Sequence, residues 1–208
     1  MLKTNFKTKQ EAEDYLKAEK ILIENKQSTL SYSERQKIIN NSVKSESLII
    51  EIINPKLPIV TNIIELRKPC QEVTKEDNIK EIIQKLKDTL DNRGGLGISA
   101  NQIGIPKKIS YIKYPKMVDK KMEYTEIILI NTKIIEKDNP IKMQNEECLS
   151  LPGLSLTTKR YVFLTVENYN EKLEPQTFLT QDFESIIIQH EHDHQNGRLI
   201  LDRKWRTR

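Results

Sequence analysis

The residues best suited to chemistry form one short run, His190-Glu191-His192-Asp193-His194, which contains a His-Glu-x-x-His pattern. If this run is helical, His190 and His194 project from the same face, where two neutral imidazoles can bind one divalent metal. Glu191 can then reach a water at that metal and act as its general base. The pattern also arises by chance, and a core helix that ends in polar residues fits the same run.

A third protein ligand for such a metal must be a cysteine or a carboxylate, because the chain has only three histidines and all lie in this run. Cys148 is the candidate, since a thiolate with two imidazoles is a known catalytic ligand set that leaves a fourth position open. Cys70 follows a proline in a region without other chemically active residues, and we expect it to be structural. We expect His192 to face solvent or to pack, not to bind the metal.

The length and composition are those of a soluble protein with one domain, or with one domain and an extension. The chain has 208 residues, of which 37% are hydrophobic and 31% charged, with a formal net charge of +4. It lacks the apolar run of roughly 20 residues that a membrane span needs, and its two cysteines are too few for a disulfide framework. The N-terminal residues resemble neither a signal peptide nor a transit peptide, so we expect a cytoplasmic protein without membrane contact. The basic residues 203–208 fit a solvated chain end better than a nucleic-acid site.

The pattern of apolar residues predicts an α+β fold. Residues 1–55 are predicted to form an N-terminal helical extension, and residues 56–208 the domain that carries the chemistry. We expect a helix capped by Thr74 and ended near residue 92 by the Gly94-Gly95 pair, and a last helix that carries the histidine run to near Gly197. Strands are predicted at residues 109–114, 124–135, 161–169, 176–180 and 199–201. Antiparallel or mixed sheets are expected to pack around the C-terminal metal-binding helix.

Three motifs, in order, resemble those of the peptide deformylase family. Residues 95–104 read Gly-Leu-Gly-Ile-Ser-Ala-Asn-Gln-Ile-Gly and are similar to the family's Gly-x-Gly-Leu-Ala-Ala-x-Gln-x-Gly. Residues 146–150, Glu-Glu-Cys-Leu-Ser, are similar to Glu-Gly-Cys-Leu-Ser, and residues 189–194 to Gln-His-Glu-x-Asp-His. One such motif is weak, but three in the family's order are specific. The resemblance covers residues from about 62 to 203.

This resemblance implies hydrolysis of the formyl group at the N-terminus of formylmethionyl peptides, with release of formate. It implies one divalent metal on Cys148, His190 and His194, with Fe²⁺ expected and Zn²⁺, Ni²⁺ or Co²⁺ as alternatives. Glu191 is expected to take the proton of the attacking water and to deliver it to the leaving amine. The side-chain amide of Gln102 and the backbone N–H of Leu149 are the expected donors to the oxyanion. We also expect a monomer, with contact to the ribosome at its exit tunnel as a further possibility.

Other roles are carried over from the family's motif positions or read from nearness to them. We expect an apolar pocket for the methionine side chain and a strand-like grip on the peptide backbone. The residues expected there are Gly95, Leu96, Gly97, Phe183, Ile186 and Ile187. Glu146 and Arg160 match a family pair of charged residues that can hold the cysteine loop by a salt bridge, and Asp193 can steer a ligand histidine.

The chain departs from the family pattern at several points, none of which is a ligand, the base or an oxyanion donor. Ser99 stands where alanine is usual, Glu147 where glycine is usual, and Gln195 where leucine is usual. Two rival functions remain open at this level. A metallopeptidase is disfavoured because residues 195–208 contain no glutamate or histidine to complete its site. A non-catalytic binding protein on the same scaffold would not need Glu191.

Overall fold

The computed structural model describes residues 58–119 and 121–206. The predicted N-terminal extension, residues 1–55, lies outside them. Three α-helices, six strands and two 3-10 helices follow one another in the described part of the chain. They are α1 (Ile63–Leu66), α2 (Ile79–Arg93), β1 (Gly97–Ser99), a 3-10 helix (Ala100–Ile103), β2 (Ile109–Val118), β3 (Lys121–Ile130), β4 (Lys133–Glu147), β5 (Ser155–Tyr169), β6 (Pro175–Gln181), α3 (Asp182–Gln195) and a 3-10 helix (Ile200–Arg203).

The strands form two antiparallel sheets of three strands each, in the orders β1-β2-β3 and β4-β5-β6. Antiparallel neighbours need only short turns, and the chain supplies them between β2 and β3 and between β5 and β6. The fold is therefore α+β, as predicted. In the part of the chain that is described, no helix is long and apolar enough to cross a membrane.

Helix α2 begins one turn later than predicted. Asn78 caps it, because the Asn78 side chain accepts a hydrogen bond from the backbone N–H of Glu81, whereas Thr74 lies in the preceding turn and bonds to Asp77. The apolar stripe of the helix is buried, as its spacing indicated, and packs on Ile98, Ile109, Tyr111 and Ile130 of the first sheet. The helix ends at Gly94, directly before β1.

Two predicted strands were wrong in detail. Residues 124–135 do not form one strand, because the backbone of Asn131 has a positive φ of 49° that ends β3 and sends the chain into the other sheet. Asparagine tolerates this conformation, and its side chain is held by both backbone groups of Val73. Residues 199–201 do not pair as a strand and instead enter the 3-10 helix Ile200–Arg203.

Helix α3 packs against both sheets, and this packing fixes the position of its histidines. Ile187 and Ile188 of α3 share one buried cluster with Ile112 of β2, Leu129 of β3 and Leu164 of β5. With its apolar residues held between two sheets, the helix can neither rotate nor slide without exposing them. The C-terminal end of β4 and the start of β1 therefore meet a fixed helical face.

Candidate metal centre

Cys148, His190 and His194 lie together in the folded chain. The two histidines project from one face of α3, with ring centroids 5.1 Å apart. Cys148 follows the last residue of β4, and its Sγ lies 3.2 Å from Nε2 of His194. One ligand atom from each of the three residues falls within 4.8 Å of the others. A single cation can therefore contact all three.

Buried charges orient His190. Its Nδ1 is 2.8 Å from a carboxylate oxygen of Glu146, so Nε2 is the nitrogen left for a metal. Glu146 also accepts hydrogen bonds from Arg160, at 2.9 Å to Nε, and from the hydroxyl of Thr158. Burial raises the pKa of Glu146, but hydrogen bonds from His190 and Arg160 outweigh it and hold that pKa well below its usual range. Glu146 is thus an ionised acceptor that fixes the imidazole.

Asp193 completes this charged layer on the other side of Arg160. Nη1 of Arg160 donates to Asp193 at 2.6 Å, and Nη2 of Arg203 donates to the same carboxylate at 2.6 Å. The Asp193 carboxylate therefore stabilises the arginine that holds Glu146. Its side chain forms no hydrogen bond with His190 or His194. Sequence reasoning assigned no role to Thr158. It placed Arg203 in a solvated chain end, which is wrong for this residue because its guanidinium bonds to the buried Asp193. Nothing in the local pattern of either residue indicates that the fold brings it here.

The donor set suits a divalent transition metal. Burial lowers the pKa of His194 to about 3, which keeps its imidazole neutral as a ligand must be. Burial also disfavours the charged form of His190, yet hydrogen bonds with Cys148 and Glu146 raise its pKa to about 10. Surroundings that attract a proton to His190 equally attract a metal cation. A sulfur and two imidazole nitrogens match the ligand preferences of Zn²⁺ and Fe²⁺.

Glu191 is a buried carboxylate beside this centre. Its Oε2 accepts a hydrogen bond of 2.7 Å from the hydroxyl of Ser99. Its Oε1 lies over Gly97, where a Cβ atom would stand only 2.5 Å away. Burial is the main reason that the pKa of Glu191 is raised above its usual value. Such a carboxylate holds a proton more readily than one in water, which is what a group that accepts and returns a proton requires.

Gln102 is held with its amide nitrogen toward Cys148. The backbone N–H of Ser99 donates to Oε1 of Gln102 at 2.9 Å, which leaves Nε2 on the opposite side. There Nε2 lies 3.1 Å from Oγ of Ser150 and 3.8 Å from Sγ of Cys148. Leu149 follows the cysteine directly and lies partly buried along the same cleft. Both expected oxyanion donors therefore border the candidate metal centre.

A cleft of about 750 Å³ opens onto these groups. All of the residues expected to bind substrate line it, namely Gly95, Leu96, Gly97, Phe183, Ile186 and Ile187. Ile186 and Ile187 are buried, whereas Phe183 is 45% exposed and so does not belong to the core. Glu147, which stands where glycine is usual, is exposed and also borders the cleft.

The two remaining candidates, Cys70 and His192, contribute no ligand atom to the cluster. Cys70 is buried at 6% exposure, with its sulfur 3.7 Å from the backbone oxygen of His194, which fits the structural role expected for it. His192 is partly buried, and its Nε2 lies 3.2 Å from the side-chain nitrogen of Asn196. Neither belongs to the cluster of possible metal ligands.

The model of the polypeptide deformylase family matches residues 56–207. The chain belongs to this family. A peptide deformylase of Aquifex aeolicus (strain VF5) is 36% identical over 146 residues, which cover 69% of this chain and 85% of that relative. The crystal structure of the Plasmodium falciparum peptide deformylase matches with a TM-score of 0.64 at 31% identity, over 71% of this chain and 86% of that one. The Thermotoga maritima peptide deformylase has a TM-score of 0.62 at 29% identity, over 71% and 96% of the two chains.

Membership confirms the enzyme class predicted from the three motifs. The protein is a deformylase, a metallohydrolase that removes the N-terminal formyl group from nascent peptides. A single catalytic metal follows from the family, and Cys148, His190 and His194 form a cluster that could hold a metal ion. The rival metallopeptidase is thereby excluded, and the Glu191→Gln variant separates the enzyme from a non-catalytic binding protein on the same scaffold.

Proposed function

We propose that this deformylase carries out its reaction at the centre formed by Cys148, His190, His194 and Glu191. The observation that carries the proposal is one arrangement: three metal-type ligand atoms lie within 4.8 Å of one another, beside a buried carboxylate at the floor of an open cleft. In this proposal water attacks the formyl carbon, the bond between that carbon and the amine nitrogen breaks, and formate and a free N-terminus leave.

Cys148, His190 and His194 are the proposed metal ligands. Three protein ligands leave a fourth coordination position open, as catalytic rather than structural sites do. A divalent metal bound here supplies Lewis acidity, which acidifies water and polarises a carbonyl oxygen. We propose Fe²⁺ as the native metal from the family resemblance, and the soft sulfur ligand equally admits Zn²⁺, Ni²⁺ or Co²⁺.

Glu191 is the proposed proton carrier. It takes one proton from the attacking water as the new carbon–oxygen bond forms, and it gives that proton to the amine nitrogen as the carbon–nitrogen bond breaks. The carboxylate begins and ends the cycle ionised, and the second proton of the water leaves with the formic acid, which then ionises to formate. Its burial supports this role, because a carboxylate removed from water has a raised pKa and accepts a proton more readily.

Gln102 and Leu149 are the proposed donors to the oxyanion that forms when water adds to the formyl carbonyl. The amide of Gln102 is held by the backbone of Ser99 before any substrate arrives. A donor fixed in advance stabilises developing charge without reorganisation, and removing one such donor typically costs about 100- to 1,000-fold in kcat.

The substrate is proposed to lie along β1 with its methionine side chain among Leu96, Phe183, Ile186 and Ile187. β1 pairs only with β2 in the described sheet, so its other edge is open to a peptide strand. The lining of the cleft near the centre is apolar at these positions, which suits an unbranched thioether side chain.

Since nascent chains are the substrate, we further propose that the enzyme works in the cytoplasm near the ribosomal exit tunnel, as a monomer. Formylated N-termini first become accessible at that exit. Sedimentation of the enzyme with translating ribosomes, and its mass in solution, test these two points separately from catalysis.

The decisive experiment measures formate release from a formyl-Met tripeptide by anaerobically Fe²⁺-loaded enzyme. We expect turnover that is lost in Glu191→Gln with one metal per chain retained, and lost in Cys148→Ala together with the metal. Cys70→Ala is the matched control and should keep both activity and metal. Metal retained at one per chain in Cys148→Ala, or full turnover in Glu191→Gln, would refute the proposed site.

A further inference from the structure

Three buried polar residues connect Glu191 to the interior of the protein. Oγ of Ser99 lies 2.7 Å from Oε2 of Glu191 and 2.6 Å from Oγ of Ser110. Nε2 of Gln195 lies 2.9 Å from that same Ser110 hydroxyl. Ser99, Ser110 and Gln195 are at most 1% exposed. Together they form a continuous chain of hydrogen bonds, Gln195–Ser110–Ser99–Glu191.

The architecture of the fold holds this chain in place. Ser99 and Ser110 are direct partners in the antiparallel pairing of β1 with β2. Gln195 and Glu191 are four residues apart on α3 and so lie on the same helical face. The chain of hydrogen bonds therefore starts on α3, crosses β2 and β1, and returns to α3.

The amide of Gln195 sets the direction of the hydrogen bonds at its end of the chain. Nε2 of Gln195 also lies 3.4 Å from the backbone oxygen of Leu129, which can only accept, so this end of the amide is the nitrogen. Because Gln195 donates to Ser110, the single hydroxyl proton of Ser110 is free to go to Ser99. Ser99 can then give its own proton to Oε2 of Glu191, 2.7 Å away. Ser99 also lies 3.2 Å from the backbone oxygen of Glu191, a weaker alternative acceptor.

We propose that Gln195, Ser110 and Ser99 are positioning residues that hold Oε2 of Glu191 and leave Oε1 to carry the proton. This inference rests on the proposed role of Glu191 as the proton carrier. Gly97 provides the space for Oε1, since a Cβ at that position would stand 2.5 Å from it. One carboxylate oxygen is thus anchored from the interior while the other lies over β1, beside the cleft.

This chain of hydrogen bonds differs from a purely structural contact because each residue acts on Glu191 through the next residue along it. A hydrogen bond to a charged group is worth more than one between neutral groups, and linked donors polarise one another. Removing Ser99 disconnects Glu191 completely. Removing Gln195 leaves the hydrogen bond from Ser99 to Glu191 in place and only weakens it. If the residues merely held the strands and helix together, their removal would lower stability and leave kcat unchanged.

The test is a double-substitution cycle on the Fe²⁺-loaded enzyme, with kcat, KM and metal per chain measured for each variant. Ser99→Ala should lower kcat about tenfold or more with KM and metal content unchanged. Gln195→Leu should lower kcat about threefold. The double variant should be no slower than Ser99→Ala alone, since the chain is already cut at the residue next to Glu191.

Ser185→Ala is the matched control. Ser185 is fully buried, as Ser99 is, but it lies on α3 and its hydroxyl bonds to Thr180 and not to Glu191. Its kcat should stay at the parent value. A crystal structure of Ser99→Ala should show the Glu191 carboxylate rotated from its place over Gly97, a readout that does not depend on activity. An unchanged kcat in Ser99→Ala, or effects that multiply in the double variant, overturns the inference.

Glu191→Gln, measured in parallel, separates this inference from the proposed function. If Glu191→Gln is active, the proton-carrier role fails and the positioning chain fails with it. If Glu191→Gln is inactive while Ser99→Ala matches the parent, only the positioning chain fails.

Discussion

Replacing Arg160 with methionine is expected to destabilise the protein far more than removing an ordinary ion pair. Arg160 is 1% exposed and donates to Glu146 and Asp193, whose side chains are 6% and 3% exposed. Methionine fills a similar volume without charge, so the change leaves two buried carboxylates short of a cation. Breaking a buried pair in this way typically costs about 3–5 kcal/mol.

In a domain of this size each kcal/mol lowers Tm by about 2–4 °C, so the loss should amount to about 6–20 °C. Thermal unfolding of the metal-loaded protein measures it. The variant should also bind metal about 10- to 100-fold more weakly, because Glu146 is the residue that orients His190. Competition with a chelator of known affinity measures this second effect.

Arg67→Met is the matched control. Arg67 also pairs with an aspartate, Asp202, but their side chains are 42% and 34% exposed, and such pairs contribute only about 0–1 kcal/mol. Its Tm should fall by no more than a few degrees, with metal affinity unchanged. If Arg160→Met unfolds at the same temperature as Arg67→Met, or binds metal as tightly as the parent, the buried network does not orient the ligand as argued.

Three further predictions concern close contacts and the metal. Gly97→Ala should lower kcat with metal content retained, because the added Cβ would stand 2.5 Å from Oε1 of Glu191; normal turnover would show that Oε1 is not the working oxygen. Gly197→Ala should reduce stability much more than Gly104→Ala. Both glycines have a positive φ, but only at Gly197 would an added Cβ stand 2.3 Å from the backbone oxygen of Arg67. Equal Tm values for the two variants would contradict this. Chelation should abolish activity and lower Tm in the parent, yet leave the Tm of Cys148→Ala unmoved, because only a chain that binds metal gains stability from it.

The local sequence was a good guide wherever a pattern repeats with a helical or strand period. The stripe of α2, the hairpin of β5 and β6, and the last helix were all found this way. Some errors fell at ends and breaks, but residues 136–147 of β4 and the short strand β1 were not predicted to be strands at all. Thr74 and Asn78 are both good capping residues, and only packing decides which one is used. The break at Asn131 depends on contacts with Val73, which is 58 residues distant in sequence.

The sequence by itself determined the family through three motifs in order, and the α+β class through its apolar pattern. It also gave a short list of candidate ligands, because three histidines and two cysteines leave few combinations and helical spacing puts His190 and His194 on one face. Only the tertiary structure decided which distant groups meet there. Arg203 braces Asp193, and Gln195 connects to Glu191 through Ser110. These partners come from different strands and helices, and no local period encodes which polar atoms face one another once the two sheets enclose α3.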